Sequence, residues 1–153
     1  MSSSNPRPAA LADKMPQLTL WFWIMKIAAT TLGETAGDHF SKTMHLGYAQ
    51  STQILMGIFA ALLFAQLLVR RHVPTLYWLV ILATSTAGTT MSDYMDRTRG
   101  LGYALGSAIL VASLLLILLI WRVLEGSLSV TRIHTRRGEV FYWGAILISN
   151  TLG

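Results

Sequence analysis

The residues best able to do chemistry in this sequence are four side chains spaced four apart. Lys26, Thr30, Glu34 and Asp38 would share one face of a helix, because residues at that spacing stack above one another. Lys26 lies well inside an apolar stretch, and Glu34 lies about one turn from the far end of the same stretch. Ionisable side chains at such depth are costly, so they face a bundle interior and often mark an ion or proton path. Fifty-five positions later the stripe reads Ile81, Ser85, Thr89 and Asp93. The outer Asp is kept, the Glu becomes Thr and the Lys is lost. The pattern predicts a polar path for a small solute or ion, symmetric at its outer end and asymmetric deeper in. The structural alternative is that Lys26 snorkels or pairs with Glu34 two turns away, while Asp38 and Asp93 cap or anchor helix ends.

Other candidates are weaker. His39 and His45 flank Asp38 and suggest a metal or proton site with Glu34. The second copy has Tyr94 and Gly100 at those places, so no metal site is expected. Gly33, Gly37 and Gly88 predict close helix packing, because small residues let backbones approach in lipid. The alternative for them is a helix broken at a substrate site. No nucleophile–base motif, phosphate loop or zinc-protease helix is present, and there is no cysteine, so neither an enzyme nor a cofactor is expected.

These side chains need apolar elements to position them. Hydrophobic residues make up 53% of the 153 positions and charged residues 12%, against about 25% charged in a soluble domain. Uncharged runs at 47–69 and 102–121 are long enough to cross a hydrocarbon core of ~30 Å. The net charge of +5 falls in short segments beside apolar runs rather than on one basic face, so nucleic acid is not an expected partner.

An internal repeat organises the chain. At an offset of 55, Trp23 meets Trp78, Gly33 meets Gly88 and Asp38 meets Asp93, while Leu46-Gly47-Tyr48 meets Leu101-Gly102-Tyr103. A third copy begins at Phe141-Tyr142-Trp143 and reaches Thr151-Leu152-Gly153, matching Thr31-Leu32-Gly33. Each unit reads as a Trp-led helix ending near the Asp, a polar turn, and a helix opening with Gly-Tyr. Helices are predicted at 17–37, 47–69, 74–92 and 102–124. The fold class is therefore an all-α membrane protein of tandem two-helix repeats, with four full crossings and a truncated fifth at 140–153. Residues 1–16 read as a disordered cytoplasmic tail and 125–139 as a basic cytoplasmic loop. Residues 17–69 and 74–124 form the two complete units, which are expected to be related in parallel. The fifth segment is expected to lie at the interface, dock poorly, or pair with another copy.

The stretches from Trp23 through Thr30-Thr-Leu-Gly-Glu-Thr-Ala-Gly-Asp38, from Trp78 through Thr86-Ala-Gly-Thr-Thr-Met-Ser-Asp93, and from Trp143 through Asn150-Thr-Leu-Gly153 carry a resemblance. They resemble bacterial integral membrane proteins of unknown function, often called uncharacterised membrane-anchored proteins, with four tandem repeats of two transmembrane segments and a characteristic tryptophan. The resemblance implies about two and a half units here and carries no activity.

Trp21, Trp23, Trp78 and Trp143 are expected to anchor one membrane interface, and Tyr48 and Tyr103 the other. Eight basic residues (Arg7, Lys14, Arg70, Arg71, Arg122, Arg132, Arg136, Arg137) face Lys42, Arg97 and Arg99 on the opposite side. The positive-inside rule then puts the N-terminus in the cytoplasm of a multi-pass bacterial inner-membrane protein and both Asp-bearing turns in the periplasm. His134, Arg136 and Arg137 are expected to contact anionic headgroups. The expected partners are the lipid bilayer, a small solute or ion and a second copy of the chain. A small-solute or ion transporter is the leading expectation, a non-catalytic assembly protein the alternative and a membrane-embedded enzyme the third.

Overall fold

The computed structural model of the chain describes residues 19–43, 47–69, 73–126, 128 and 135–153. The tail at 1–16, His45, Arg70, Arg71, Arg132 and His134 lie outside the described residues. The described residues form five α-helices and no strand: α1 (Leu20–Asp38), α2 (Gly47–Leu68), α3 (Pro74–Asp93), α4 (Gly102–Glu125) and α5 (Arg136–Leu152). A five-residue π-helical turn follows α1 at His39–Thr43, and another follows α3 at Tyr94–Thr98. The two turns lie 55 positions apart, so the repeat extends to its irregular backbone. Thr19 opens α1 by accepting a hydrogen bond from the Phe22 N–H, and Pro74 opens α3 at a position where its missing N–H costs nothing. Gly47 and Gly102, at φ 73° and 71°, let the chain turn into α2 and α4 through a region that other residues enter at a cost. That is a physical reason for the Gly of each Leu-Gly-Tyr.

The packing follows the repeat. α3 lies at the centre against α1, α2 and α5, and α4 packs on α5. Thus the first helices of successive units pack in a row, and the second helix of each unit rests on the first helix of the next. Phe22 meets Trp78 near one end, Ser85 Oγ donates to the Thr30 carbonyl further along, and Gly37 abuts Thr86 and Thr90 near the other end, so α1 and α3 are parallel. Tyr77–Tyr142 and Asn150–Thr84 hydrogen bonds order α3 and α5 the same way. The parallel relation expected of the units is what the contacts give.

Close approach depends on small residues. A Cβ on Gly33 would lie 2.5 Å from Ser85 Cβ, and one on Gly88 would lie 2.9 Å from the Asn150 carbonyl carbon. In repeat register Ser85 corresponds to Asn150 as Gly33 does to Gly88, so one interface is built twice. The hydroxyls of the buried Thr84, Thr86 and Thr90 bond back to carbonyls three or four residues earlier in α3, which lets a polar helix be buried without orphaned donors.

α2 turns Leu55 and Phe59 into a core with Tyr77, Val80, Ala83, Ala87 and Trp143. α4 buries Gly106, Leu110 and Trp121, the repeat equivalents of Ser51, Leu55 and Gln66 on α2.

Two expectations need correction. Among the described residues, only α2 and α4 are both long and apolar enough to cross a membrane, with 22% and 17% of their most apolar windows buried. α1 carries Lys26 and Glu34, and α3 is rich in Thr and Ser, so of the four full crossings expected, length and composition support two. The fifth segment starts at Arg136, capped by Thr135 Oγ accepting from the Gly138 N–H, rather than at 140. It is also well docked, with Trp143 at 0% and Thr151 at 2% exposure.

Candidate functional site

The parallel row α1–α3–α5 forms a two-part groove. Its polar part is a cleft of about 260 Å³ lined by Glu34, Asp38, Thr89, Ser92, Asp93, Asn150, Thr151 and Gly153. Three units therefore contribute: the acidic end of the first stripe, the outer end of the second, and the last turn of α5. Its apolar part, about 320 Å³, is lined by Phe22, Trp23, Lys26, Tyr77, Ile81, Tyr142, Ile146, Ser149 and Asn150. Asn150 belongs to both parts. Glu34 and Lys26 sit about 12 Å apart along α1, eight residues at 1.5 Å each, and no ion pair joins them.

The polar cleft brings together Glu34, Asp38, Thr89 and Asp93 from the predicted stripes. Thr30 and Ser85 instead serve the α1–α3 contact, since Ser85 Oγ donates to the Thr30 carbonyl at 3.0 Å. Thr30 Oγ donates to the Lys26 carbonyl at 2.8 Å. Lys26 faces the apolar part.

The carboxylates are not alike. Lys42 Nζ lies 2.8 Å from Asp38 Oδ1, and Arg97 Nε lies 3.0 Å from Asp93 Oδ1. Lys42 and Arg97 are themselves repeat equivalents, so the pairing is a property of the repeat. Donating to the Asp38 carboxylate holds the pKa of the Lys42 ammonium above its ordinary value, and donating to Asp93 does the same for Arg97. Each pair is an exposed i,i+4 contact worth little in isolation, yet it neutralises one carboxylate of the cleft. Glu34 makes no ion pair among the described residues. No group of three His, Cys, Asp or Glu side chains among the described residues is placed to hold a metal ion, so the three carboxylates line the cleft without converging on one point.

The aromatic residues divide. Trp21 and Trp23 are exposed at 74% and 55%, and Tyr103 at 73%. Tyr48 lies under the Arg97 guanidinium at 5.8 Å. Trp78 packs against Phe22 and Tyr77. Trp143 is buried against Tyr77 and Tyr142, so it is a core residue and not an anchor. Gly33, Gly37 and Gly88 all sit at helix contacts. Sequence reasoning missed Lys42 and Arg97, although the i,i+4 spacing to each Asp was there to find. It also missed Asn150, whose place in the groove depends on how α5 packs.

Taken together, the chain is an all-helical protein of tandem two-helix units whose first helices stand parallel around a groove. One family matches its sequence twice: the family described as Repeat of Unknown Function (DUF347) matches residues 21–72 and 76–127. The two matches begin 55 positions apart and span about two thirds of the chain, so the chain belongs to this family. No curated protein and no solved structure matches it.

Proposed function

We propose that the chain is a multi-pass bacterial inner-membrane protein that conducts protons or a small polar solute along the α1–α3–α5 groove. The inside-out distribution of polarity supports the membrane part of this reading. The central helix buries Thr84, Ser85, Thr86 and Thr90, while α4 exposes Leu115 at 62%, Leu119 at 60% and Val123 at 72%. Water would disfavour that arrangement and lipid would not. The two apolar helices are also mostly unburied and distant from the N-terminus, unlike a soluble core helix or a signal sequence. The N-terminus is assigned to the cytoplasm by the eight-to-three distribution of basic residues.

The observation that carries the transport reading is the cleft itself, where carboxylates from two units meet polar side chains of a third. Sites of repeated transporters lie at such junctions between units. Glu34, the carboxylate without a cation, is assigned the proton or solute, and Asp38 and Asp93 set the potential at the cleft mouth. The test is a pH-jump assay on proteoliposomes with an entrapped pH dye. Proton or solute-coupled flux that Glu34→Gln lowers by about tenfold or more, the effect of losing one charge-assisted contact, is expected. Equal rates for the two proteins, or none for either, would remove the transport reading.

One feature favours a second reading, assembly with another copy. An apolar groove of about 310 Å³ between α1 and α3 is lined by Met25, Ala28, Ala29, Leu32, Trp78 and Leu82, among others. Its repeat equivalents Val80, Ala83, Thr84 and Ala87 are buried, where α2 supplies Leu55 and Phe59. Among the described residues no helix covers the first groove as α2 covers the second. A dimer by native mass spectrometry in detergent that Ala28→Trp dissociates supports this reading, and a monomer at every concentration removes it.

A further inference from the structure

Lys26 stands in repeat register with Ile81 and Ile146, and all three line the apolar part of the groove. Phe22, Tyr77 and Tyr142 form a second such set in the same cleft. Equivalent positions of three units therefore converge on one space, and only one of them carries a charge. That ammonium is half-buried and makes no ion pair among the described residues. An unpaired cation among aromatic and aliphatic walls is costly unless a countercharge joins it. We infer that the cleft binds a small organic carboxylate with an aryl or short apolar tail, its carboxylate on Lys26 Nζ and its tail among Phe22, Trp23, Ile81 and Ile146.

The chemistry of the walls selects this class. A carboxylate accepts charge-assisted hydrogen bonds from an ammonium. The hydroxyls of Tyr77 and Tyr142, 3.0 Å apart, and the Ser149 and Asn150 side chains add polar atoms on the α3 and α5 sides of the same cleft. An apolar cavity with few polar groups is the usual form of a small-molecule site, and about 320 Å³ lies at the small end of such sites. A phospholipid with two acyl chains is a poorer fit. The inference goes beyond the transport reading and does not depend on it, because binding needs no gradient and can hold in a protein that moves nothing.

The test uses the purified chain in neutral detergent, with benzoate and phenylacetate as probes and benzamide as the uncharged control. Melting temperature and tryptophan fluorescence are followed on titration. Lys26→Ile installs the residue that both other units carry here, so it should fold at least as well as the parent, and Lys26→Arg keeps the charge. The expected result is that the carboxylates, but not benzamide, raise the melting temperature of the parent and of Lys26→Arg. Affinity should fall roughly tenfold or more in Lys26→Ile, as loss of a charge-assisted hydrogen bond implies. Equal stabilisation by benzamide, undiminished binding to Lys26→Ile, or no response to either carboxylate would each overturn the inference. So would Lys26-dependent stabilisation by phosphatidylglycerol alone, which would assign the ammonium to a lipid headgroup.

Discussion

Replacing Gly88 by Ala should destabilise the protein, although Ala is the better helix former. The new Cβ would sit 2.9 Å from the Asn150 carbonyl carbon, 3.0 Å from its oxygen and 3.0 Å from the Thr151 nitrogen. All three are backbone atoms, so no rotamer change relieves the contact, and carbon contacts prefer about 3.5–4.0 Å. α5 must therefore back away by roughly half an ångström or more, and a gap of that size forfeits a quarter or more of each contact it opens. Overpacking of this kind costs about 1–3 kcal/mol, against a gain of up to about 1 kcal/mol in helix propensity. Setting that gain against the cost leaves a net loss of up to about 2 kcal/mol, a fall of up to roughly 8 °C in melting temperature for a chain of this size. Gly57→Ala is the matched control, because nothing lies within 4 Å of its Cβ, and it should leave stability unchanged or raised. The assay is differential scanning fluorimetry of both variants in one detergent. If Gly88→Ala melts with or above Gly57→Ala, the close α3–α5 contact is not there.

Three further outcomes follow from the same geometry. Gly47→Ala and Gly102→Ala should each lower stability by about 1–2 kcal/mol, the cost of placing a Cβ in the left-handed region, measured by thermal melts against Gly57→Ala. Thr52→Val should cost about 1 kcal/mol by removing the 2.9 Å hydrogen bond to the Thr90 carbonyl, read by the same melts. Lys42 and Arg97 are held above their ordinary values by the adjacent carboxylates, so both pairs stay intact at neutral pH. The Lys42–Asp38 contribution should begin to fade only as pH rises past the ordinary lysine value of 10.5 and through the raised one, because a raised basic group stabilises while it is charged, whereas Arg97 stays charged throughout that range. Helicity of the Lys42→Ala variant compared with the parent across that range checks the sign.

The helix limits were readable because each sits on local signals. Pro74 starts α3, Gly47 and Gly102 start α2 and α4, and polar residues close α1 and α3, so the observed bounds fall within a few residues of those expected. The repeat was readable because Trp and Gly-Tyr recurrences at one offset are rare by chance. Which faces meet was not readable. α2 and α4 are apolar on nearly every side, and periodicity gives no direction to a helix that is apolar all round. Trp143 looked like Trp23 in sequence but has α2 and α3 over it, a fact that exists only in the packing. The carboxylate cleft was half legible: the stripe Glu34–Asp38 and Asp93 stood out, whereas Asn150 and Thr151 joined them through the docking of α5. The π-helical turns left no signal that composition or period could carry.

If the helices cross a bilayer as proposed, the carboxylate cleft opens to water on the far side from the N-terminus. The chain contains no cysteine, so single cysteines can be placed without further engineering. In intact cells whose outer membrane has been made permeable, Ser92→Cys should react with a membrane-impermeant maleimide, and Ser4→Cys should react only after the inner membrane is opened. Reaction of Ser4→Cys in intact cells, or no reaction of Ser92→Cys before or after opening, would contradict the account.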